Sequence, residues 1–310
     1  MPRLIGAGIF LLFIAAALCS CATGDAVQAE EYFSLGMAYF ELGKYEEAER
    51  WLNRARSADK TMTASDYNLG RIAFETGRYA EAAGFFERIL NRDPQNIMAL
   101  RGASYSRIKN GDLDKAELLY NRVVAMVPES IDDGFNYALV LYAVHKYDEC
   151  EEVLLRYPLA LEDNANSILL LARAQKAQEK IESIDSYDKW LSVHSGVANP
   201  QALYEYAQLL EAAGFYARAL ELYREAYQAL SGDTEQLKRS QLLFDEGRLL
   251  LIADPENSDG ITKIKEASTG GFSDTEALEI LMSDERIIES NREEIRSLLH
   301  DLVYGAAAEP

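Results

Sequence analysis

The residues best suited to chemistry are few and scattered. Cys19 and Cys21 stand one residue apart in Leu18-Cys19-Ser20-Cys21, at the foot of the longest apolar run. Such a pair could hold a metal, cycle as a redox couple, end a membrane anchor, or mark where an anchor is cut and replaced by lipid. Cys150 is the third cysteine and stands alone in the body of the chain, so no disulfide framework is expected. His145, His194 and His300 are also single, without a second ligand at helical spacing, so no metal site is expected. Acidic pairs such as Glu46-Glu47, Glu151-Glu152 and Glu293-Glu294 are sequence neighbours, and on a helix neighbours point apart rather than converging on a substrate. There is no Gly-rich phosphate loop, no G-x-S-x-G and no H-E-x-x-H. The expectation is a protein that is not an enzyme and carries no cofactor.

The elements around these residues must then supply the function. The chain has 310 residues and a formal charge of −20, which repels nucleic-acid phosphates and anionic lipid headgroups. With 48% hydrophobic and 26% charged residues it has the composition of a folded chain. Abundant Ala, Leu and Glu, with only seven prolines, point to helices.

A period of 34 organises most of the sequence. A turn column holds Gly43, Gly77, Gly111, His145, Glu179 and Gly214, spaced by 34 except for a last step of 35. Two residues on come Tyr45, Tyr79, Leu113, Tyr147, Ile181 and Tyr216. A small-residue column follows with Ala48, Ala82, Ala116, Cys150, Ile184 and Ala219, and one turn later Leu52, Phe86, Tyr120, Leu154, Asp188 and Tyr223. The first column suits a helix end with φ > 0, the small side chains suit a close helix crossing, and the last column fills the space beside it. Pro94 and Pro128 stop helices before the next unit starts. Each unit reads as a helical hairpin that buries its apolar face only by stacking on its neighbours.

These positions, with Leu35-Gly36, Leu69-Gly70 and Tyr39, resemble the tetratricopeptide repeat. The resemblance implies an all-α superhelical solenoid of about six hairpins over residues 29–231. An irregular helical C-terminal part, 232–310, is expected to hold a degenerate repeat and a cap. The fifth repeat departs most, through Ile184 and Asp188, and Arg107 and Gln175 fall where a first helix normally buries an apolar residue. In the tail, helices are expected over 235–253, 260–268, 274–282 and 284–303.

In this family the first helix of each hairpin lines the concave face. The repeat frame puts three columns there: Phe33, Tyr67, Arg101, Phe135, Leu169 and Tyr204; then Met37, Arg71, Tyr105, Leu139, Arg173 and Gln208; then Phe40, Phe74, Ile108, Tyr142, Lys176 and Glu211. Aromatic residues with arginine are what interaction hot spots are made of. The expected partner-binding groove is therefore Phe33, Met37, Phe40, Tyr67, Arg71, Phe74, Arg101, Tyr105, Phe135, Tyr142, Arg173 and Lys176. The Lys and Asn clamp by which some members hold a chaperone's C-terminal carboxylate is essentially absent.

At the N-terminus, Met1-Pro2-Arg3 precedes fifteen apolar residues, 4–18, which is signal-peptide length and short for a membrane span. Leu18-Cys19-Ser20-Cys21 resembles a bacterial lipobox, with small Ser20 just before the cysteine. That implies cleavage after residue 20, lipid attachment at Cys21, and a tether over 21–28; the alternative is an uncleaved signal anchor. The expected protein is a lipid-anchored scaffold or adaptor in the bacterial cell envelope, binding an envelope protein or peptide. A transporter-associated or small-ligand-binding role is the alternative.

Overall fold

The computed structural model describes residues 26–193 and 199–304. The expected signal peptide, Cys19, Cys21, most of the expected tether and His194 lie outside the described residues. All regular structure within them is helical. Helix α1 spans 26–41 and so takes in residues 26–28, which the sequence reading gives to the tether.

The chain forms two compact units, Met1–Pro158 and Leu159–Pro310. The first contains α1, α2 (Tyr45–Ala58), α3 (Thr63–Glu75), α4 (Tyr79–Arg92), α5 (Ile97–Lys109), α6 (Leu113–Met126), α7 (Ile131–Ala143) and α8 (Tyr147–Leu155). Consecutive helices pack pairwise, giving four hairpins. The second begins with the short α9 (Ala160–Asp163). It continues with hairpins α10 (Ala165–Ala177) with α11 (Glu182–Val193), α12 (Pro200–Ala212) with α13 (Tyr216–Ala229), and α14 (Arg239–Ala253) with α15 (Ser258–Thr269). Helices α16 (Thr275–Ser283) and α17 (Glu289–Tyr304) follow. The last helix starts at 289 rather than 284, because 284–288 form a turn held by Ile287 N donating to Asp284 O at 3.1 Å.

The turn column behaves as the spacing predicts at all six positions. Gly43, Gly77, Gly111 and Gly214 have φ between 68° and 83°, and His145 and Glu179 adopt the same left-handed conformation at 62° and 57°. Each turn closes with the same two backbone bonds. At the first, Gly43 N donates to Phe40 O and Lys44 N to Tyr39 O, both at 2.9 Å. This Schellman pair satisfies carbonyls that the helix end would leave open. It recurs after α15, where Gly271 N donates to Ser268 O and Phe272 N to Ala267 O.

The small-residue column is fully buried at Ala48, Ala82, Ala116, Cys150 and Ala219. Burial pushes the Cys150 thiol up to about 12, which leaves it protonated and inert. Gly70 faces Phe86 so closely that a Cβ there would meet the ring at 2.9 Å, which explains why Leu69-Gly70 and Phe86 go together. In the fifth hairpin the expectation is corrected. Ser183 and Tyr187 are fully buried, one position before Ile184 and Asp188, although α11 starts a residue later after its turn than its counterparts do. Asp188 does not occupy an aromatic's place; it accepts from Tyr206 Oη at 2.6 Å and Arg218 Nη2 at 2.5 Å.

From the third to the sixth hairpin, first helices start on capping side chains at a matching spacing. The Asn96, Ser130, Asn164 and Asn199 side-chain oxygens each accept a backbone N–H of the following first turn. In the tail, α14 and α15 cross on Gly247 and Gly260, where a Cβ on Gly247 would lie 2.7 Å from the Gly260 carbonyl oxygen. The C-terminal helices bury Leu278, Leu281, Ile295 and Leu299 in one core with Phe244 and Phe272, whose rings stack at 4.1 Å.

Candidate partner-binding face

The expected groove residues lie on first helices. In the first unit, Phe33, Met37 and Phe40 are on α1, Tyr67, Arg71 and Phe74 on α3, Arg101 and Tyr105 on α5, and Phe135 and Tyr142 on α7. Arg71 and Tyr105 are exposed, and the others are half-buried.

The half-buried aromatics serve their own hairpins first. Phe40 contacts Tyr45 at 5.7 Å between centroids, Phe74 contacts Tyr79 at 5.3 Å, and Tyr142 contacts Tyr147 at 5.3 Å. The same pair recurs at the repeat spacing, joining the end of a first helix to the start of the second. Tyr67 likewise meets Phe86 edge-on at 5.6 Å. Phe33, Phe40, Tyr67 and Phe74 all pack against the core of the first hairpins.

What remains for a partner is a smaller patch. Phe74 and Tyr105 stack across neighbouring first helices at 5.2 Å, and Tyr105 is 45% exposed. The Arg71 guanidinium lies 4.5 Å from the Phe40 ring centroid and donates to Asn68 Oδ1 at 3.2 Å. Among the described residues Arg71 makes no ion pair, so its charge is available. Leu139, next in the same column as Tyr105, is also exposed.

The other groove cations are engaged. Arg101 forms a fork on the buried Asp133, with Nε at 2.9 Å from Oδ1 and Nη2 at 2.5 Å from Oδ2. Burial alone would raise the Asp133 carboxyl, but Arg101 and Ser130 hold it below its ordinary value. In the second unit, Arg173 on α10 forks onto Glu205 of α12, Nε at 2.7 Å and Nη2 at 3.1 Å. Lys176 Nζ donates to the Glu205 backbone carbonyl at 2.8 Å. Burial lowers the Lys176 ammonium, against the opposing pull of Glu205. Both arginines meet a carboxylate 32 residues later, two short of the repeat. The sequence reading missed Asp133 and Glu205, although that spacing was there to be read. Arg107 and Gln175, the other misfits, are also satisfied: Arg107 pairs with Glu87 and Asp112, and Gln175 Oε1 accepts from Ser186 at 2.6 Å.

Further along the second unit the first-helix positions join a buried polar network. Arg248 Nη1 and Nη2 donate to Glu211 at 2.5 and 2.8 Å, and Tyr223 Oη donates to the same carboxylate at 2.8 Å. Tyr204 Oη and Gln241 Nε2 each lie 2.9 Å from Asp245 Oδ2. Burial raises the Asp245 carboxyl above its ordinary value, only partly offset by Gln241, Arg248 and Tyr204. Glu211, Tyr216, Tyr223, Arg248, Ile280 and Arg286 help to line a cavity of 390 Å³.

A family model described as tetratricopeptide repeat matches residues 24–64, 33–97 and 67–131. A tetratricopeptide repeat protein from Parabacteroides merdae ATCC 43184 aligns over 87% of this chain and 99% of its own, at 19% identity and a TM-score of 0.56. The fold is a tetratricopeptide-repeat solenoid. A structure of MamA protein aligns over 54% of this chain and 91% of its own, at 15% identity and a TM-score of 0.51. A double mutant of MamA from RS-1 gives 16% identity, 54% and 93% coverage and the same score. At these identities the likeness concerns the repeat architecture alone. No curated protein matches the sequence. Among the described residues no group of His, Cys, Asp and Glu is arranged to hold a metal, and no helix is long and apolar enough to cross a membrane.

Proposed function

We propose that the chain is a protein-interaction scaffold of the bacterial cell envelope, tethered through lipid on Cys21, whose first-helix face in the N-terminal unit holds a segment of an envelope protein. A repeat fold of this kind suits protein partners, and one observation carries the choice of face. The stacked Phe74–Tyr105 pair, exposed at Tyr105, stands in the same frame as the unpaired Arg71. Rigid aromatics beside a guanidinium that makes no ion pair give a partner large contact area at little entropic cost. The tether rests on the likeness of Leu18-Cys19-Ser20-Cys21 to a lipobox.

Photoreactive side chains at positions 105 and 139, introduced in cells, are expected to give one defined protein adduct that Arg71→Glu diminishes. The same group at Leu118, exposed on the second helix α6, is expected to give none. Equal labelling from 118, or no effect of Arg71→Glu, would move the partner to another surface. Fatty-acid labelling retained by Cys21→Ala would remove the tether. The 390 Å³ cavity beside Arg248 and Tyr223 supports a second reading, a small-ligand site in the C-terminal unit. A metabolite that raises the melting temperature, with no adduct from 105 or 139, would favour it.

A further inference from the structure

An unusual concentration of positive charge lies in the first unit, away from the aromatic patch. Asp66, in the first turn of α3, is fully buried. Arg88 Nε lies 3.2 Å from its Oδ1, Arg92 Nη1 3.1 Å from its Oδ2, and Arg56 Nη1 3.6 Å from Oδ1. Arg56 lies in the last turn of α2, and Arg88 and Arg92 are one turn apart on α4. With Ser57 and Lys60 these residues line a cleft of 330 Å³.

Neutralising Asp66 does not account for this arrangement. One carboxylate offers about four lone-pair sites, whereas three guanidinium groups carry roughly fifteen N–H donors. Four cations line the cleft with one carboxylate, and Asp59 adds a second charge near Arg92, in a chain whose formal charge is −20. Asp59, on the adjoining loop, has Oδ1 engaged by the Thr61 backbone N–H at 2.8 Å and hydroxyl at 2.6 Å. The Phe85 ring, 4.1 Å from the Arg88 guanidinium carbon, fixes that fork in place. Arg88 Nη2 is sealed from solvent and meets no acceptor among the described residues.

We propose that this cleft is a phosphate-binding site, formed by Arg56, Lys60, Arg88 and Arg92, with Asp66 holding the arginines in position. A phosphate suits it better than a carboxylate. It brings close to two charges and several oxygens, matching the two positive charges left when Asp66 and the nearby Asp59 are set against the four cations, and more than one guanidinium group. The phosphate can come from a soluble phosphate compound or from a lipid headgroup, since both present the same oxyanion.

Calorimetric titration of the full chain with inorganic phosphate, at constant ionic strength and with acetate as control, tests the assignment. Saturable binding of one phosphate is expected, with acetate much weaker. Lys60→Gln and Arg88→Gln are each expected to weaken it about tenfold, a loss typical of a charge-assisted contact. Lys60 makes no ion pair among the described residues, so its variant keeps the Asp66 cluster intact, and an unchanged melting temperature checks this. No saturable phosphate binding, equal binding of acetate, or full binding by both variants would overturn the proposal. Sedimentation with phosphatidylcholine vesicles, with and without phosphatidylglycerol, separates the sources. A phosphatidylglycerol-dependent gain that Lys60→Gln abolishes assigns the lipid headgroup; phosphate binding without that gain assigns a soluble compound.

Discussion

The first helices of the two units use the same repeat positions in different ways. In the N-terminal unit, Arg71 rests on the Phe40 ring and Phe74 stacks on Tyr105, leaving charge and aromatic surface facing outward. In the C-terminal unit, Arg173 and Lys176 are both taken up by Glu205, and Glu211 by Arg248 and Tyr223. A cation in a groove column is therefore a binding cation only if no carboxylate follows it at the pairing distance along the repeat. Arg101 shows that the rule operates within a unit as well, since Asp133 claims it while Arg71, one repeat earlier, keeps its charge.

The comparison can be broken most severely through the backbone. Gly247→Val would force a side chain onto the Gly260 carbonyl, which cannot rotate away, and is expected to cost about 3 kcal/mol. The two tryptophans divide the readout, because Trp51 lies in the first unit and the fully buried Trp190 in the second. Denaturation followed through Trp190 in a Trp51→Phe background should show the loss; an unchanged midpoint would mean that the α14–α15 crossing is loose.

A smaller effect sharpens the contrast between the cations. Arg173→Ala removes a two-pronged partner from Glu205 and is expected to cost about 1 kcal/mol, the Gln201 and Tyr187 contacts limiting the damage. Arg71→Ala loses a cation–π contact and one hydrogen bond on an exposed side chain, so about 0.5 kcal/mol is expected. Equal costs in urea melts would erase the distinction between an engaged and an available arginine.

The smallest effects are in pH dependence, and they have opposite signs. Asp133 has a lowered folded-state value, so its stabilisation is present above its unfolded value and is lost as pH falls through the folded one. Asp245 has a raised value, so its penalty is absent at low pH and grows as pH rises from the unfolded value through the folded one. The cost of Asp133→Asn should therefore increase between pH 3 and 7, while that of Asp245→Asn should decrease. Parallel trends in denaturation midpoints would contradict the assignment of the two carboxylates.

Much of this architecture can be read from the chain because a repeat samples each rule several times. The turn column is legible even at His145 and Glu179, since the four glycines at the same period outweigh an unfavourable residue type. The buried alanines are legible for the same reason. The slip in the fifth hairpin is not, because a period counts residues along the chain and does not report which face of a helix turns inward; in α11 that face carries Ser183 and Tyr187. The candidate face was legible as a set of columns but not as an energetic map. Which arginines are engaged depends on contacts between successive first helices, and how much of each aromatic is free depends on its hairpin partner, as with Phe74 and Tyr79.

The non-glycine turns carry a further consequence. A left-handed backbone costs an L-residue roughly 1 kcal/mol that glycine avoids. His145 recovers part of this through its Nδ1 contact with Tyr147 Oη at 2.6 Å. The two turns belong to adjacent hairpins that are irregular in another respect: one has the nine-residue α8, the other the slipped α11. In a linear array each hairpin contributes its own stability, so handicaps gathered in consecutive members set a preferred place for opening. The boundary between the two compact units, Pro158 to Leu159, falls between those same hairpins. Amide exchange should therefore be quicker in the fourth and fifth hairpins than in the second and third, and a His145→Gly, Glu179→Gly pair should slow it. The glycines missing from those turns then act as punctuation, dividing a long repeat into two blocks that open separately.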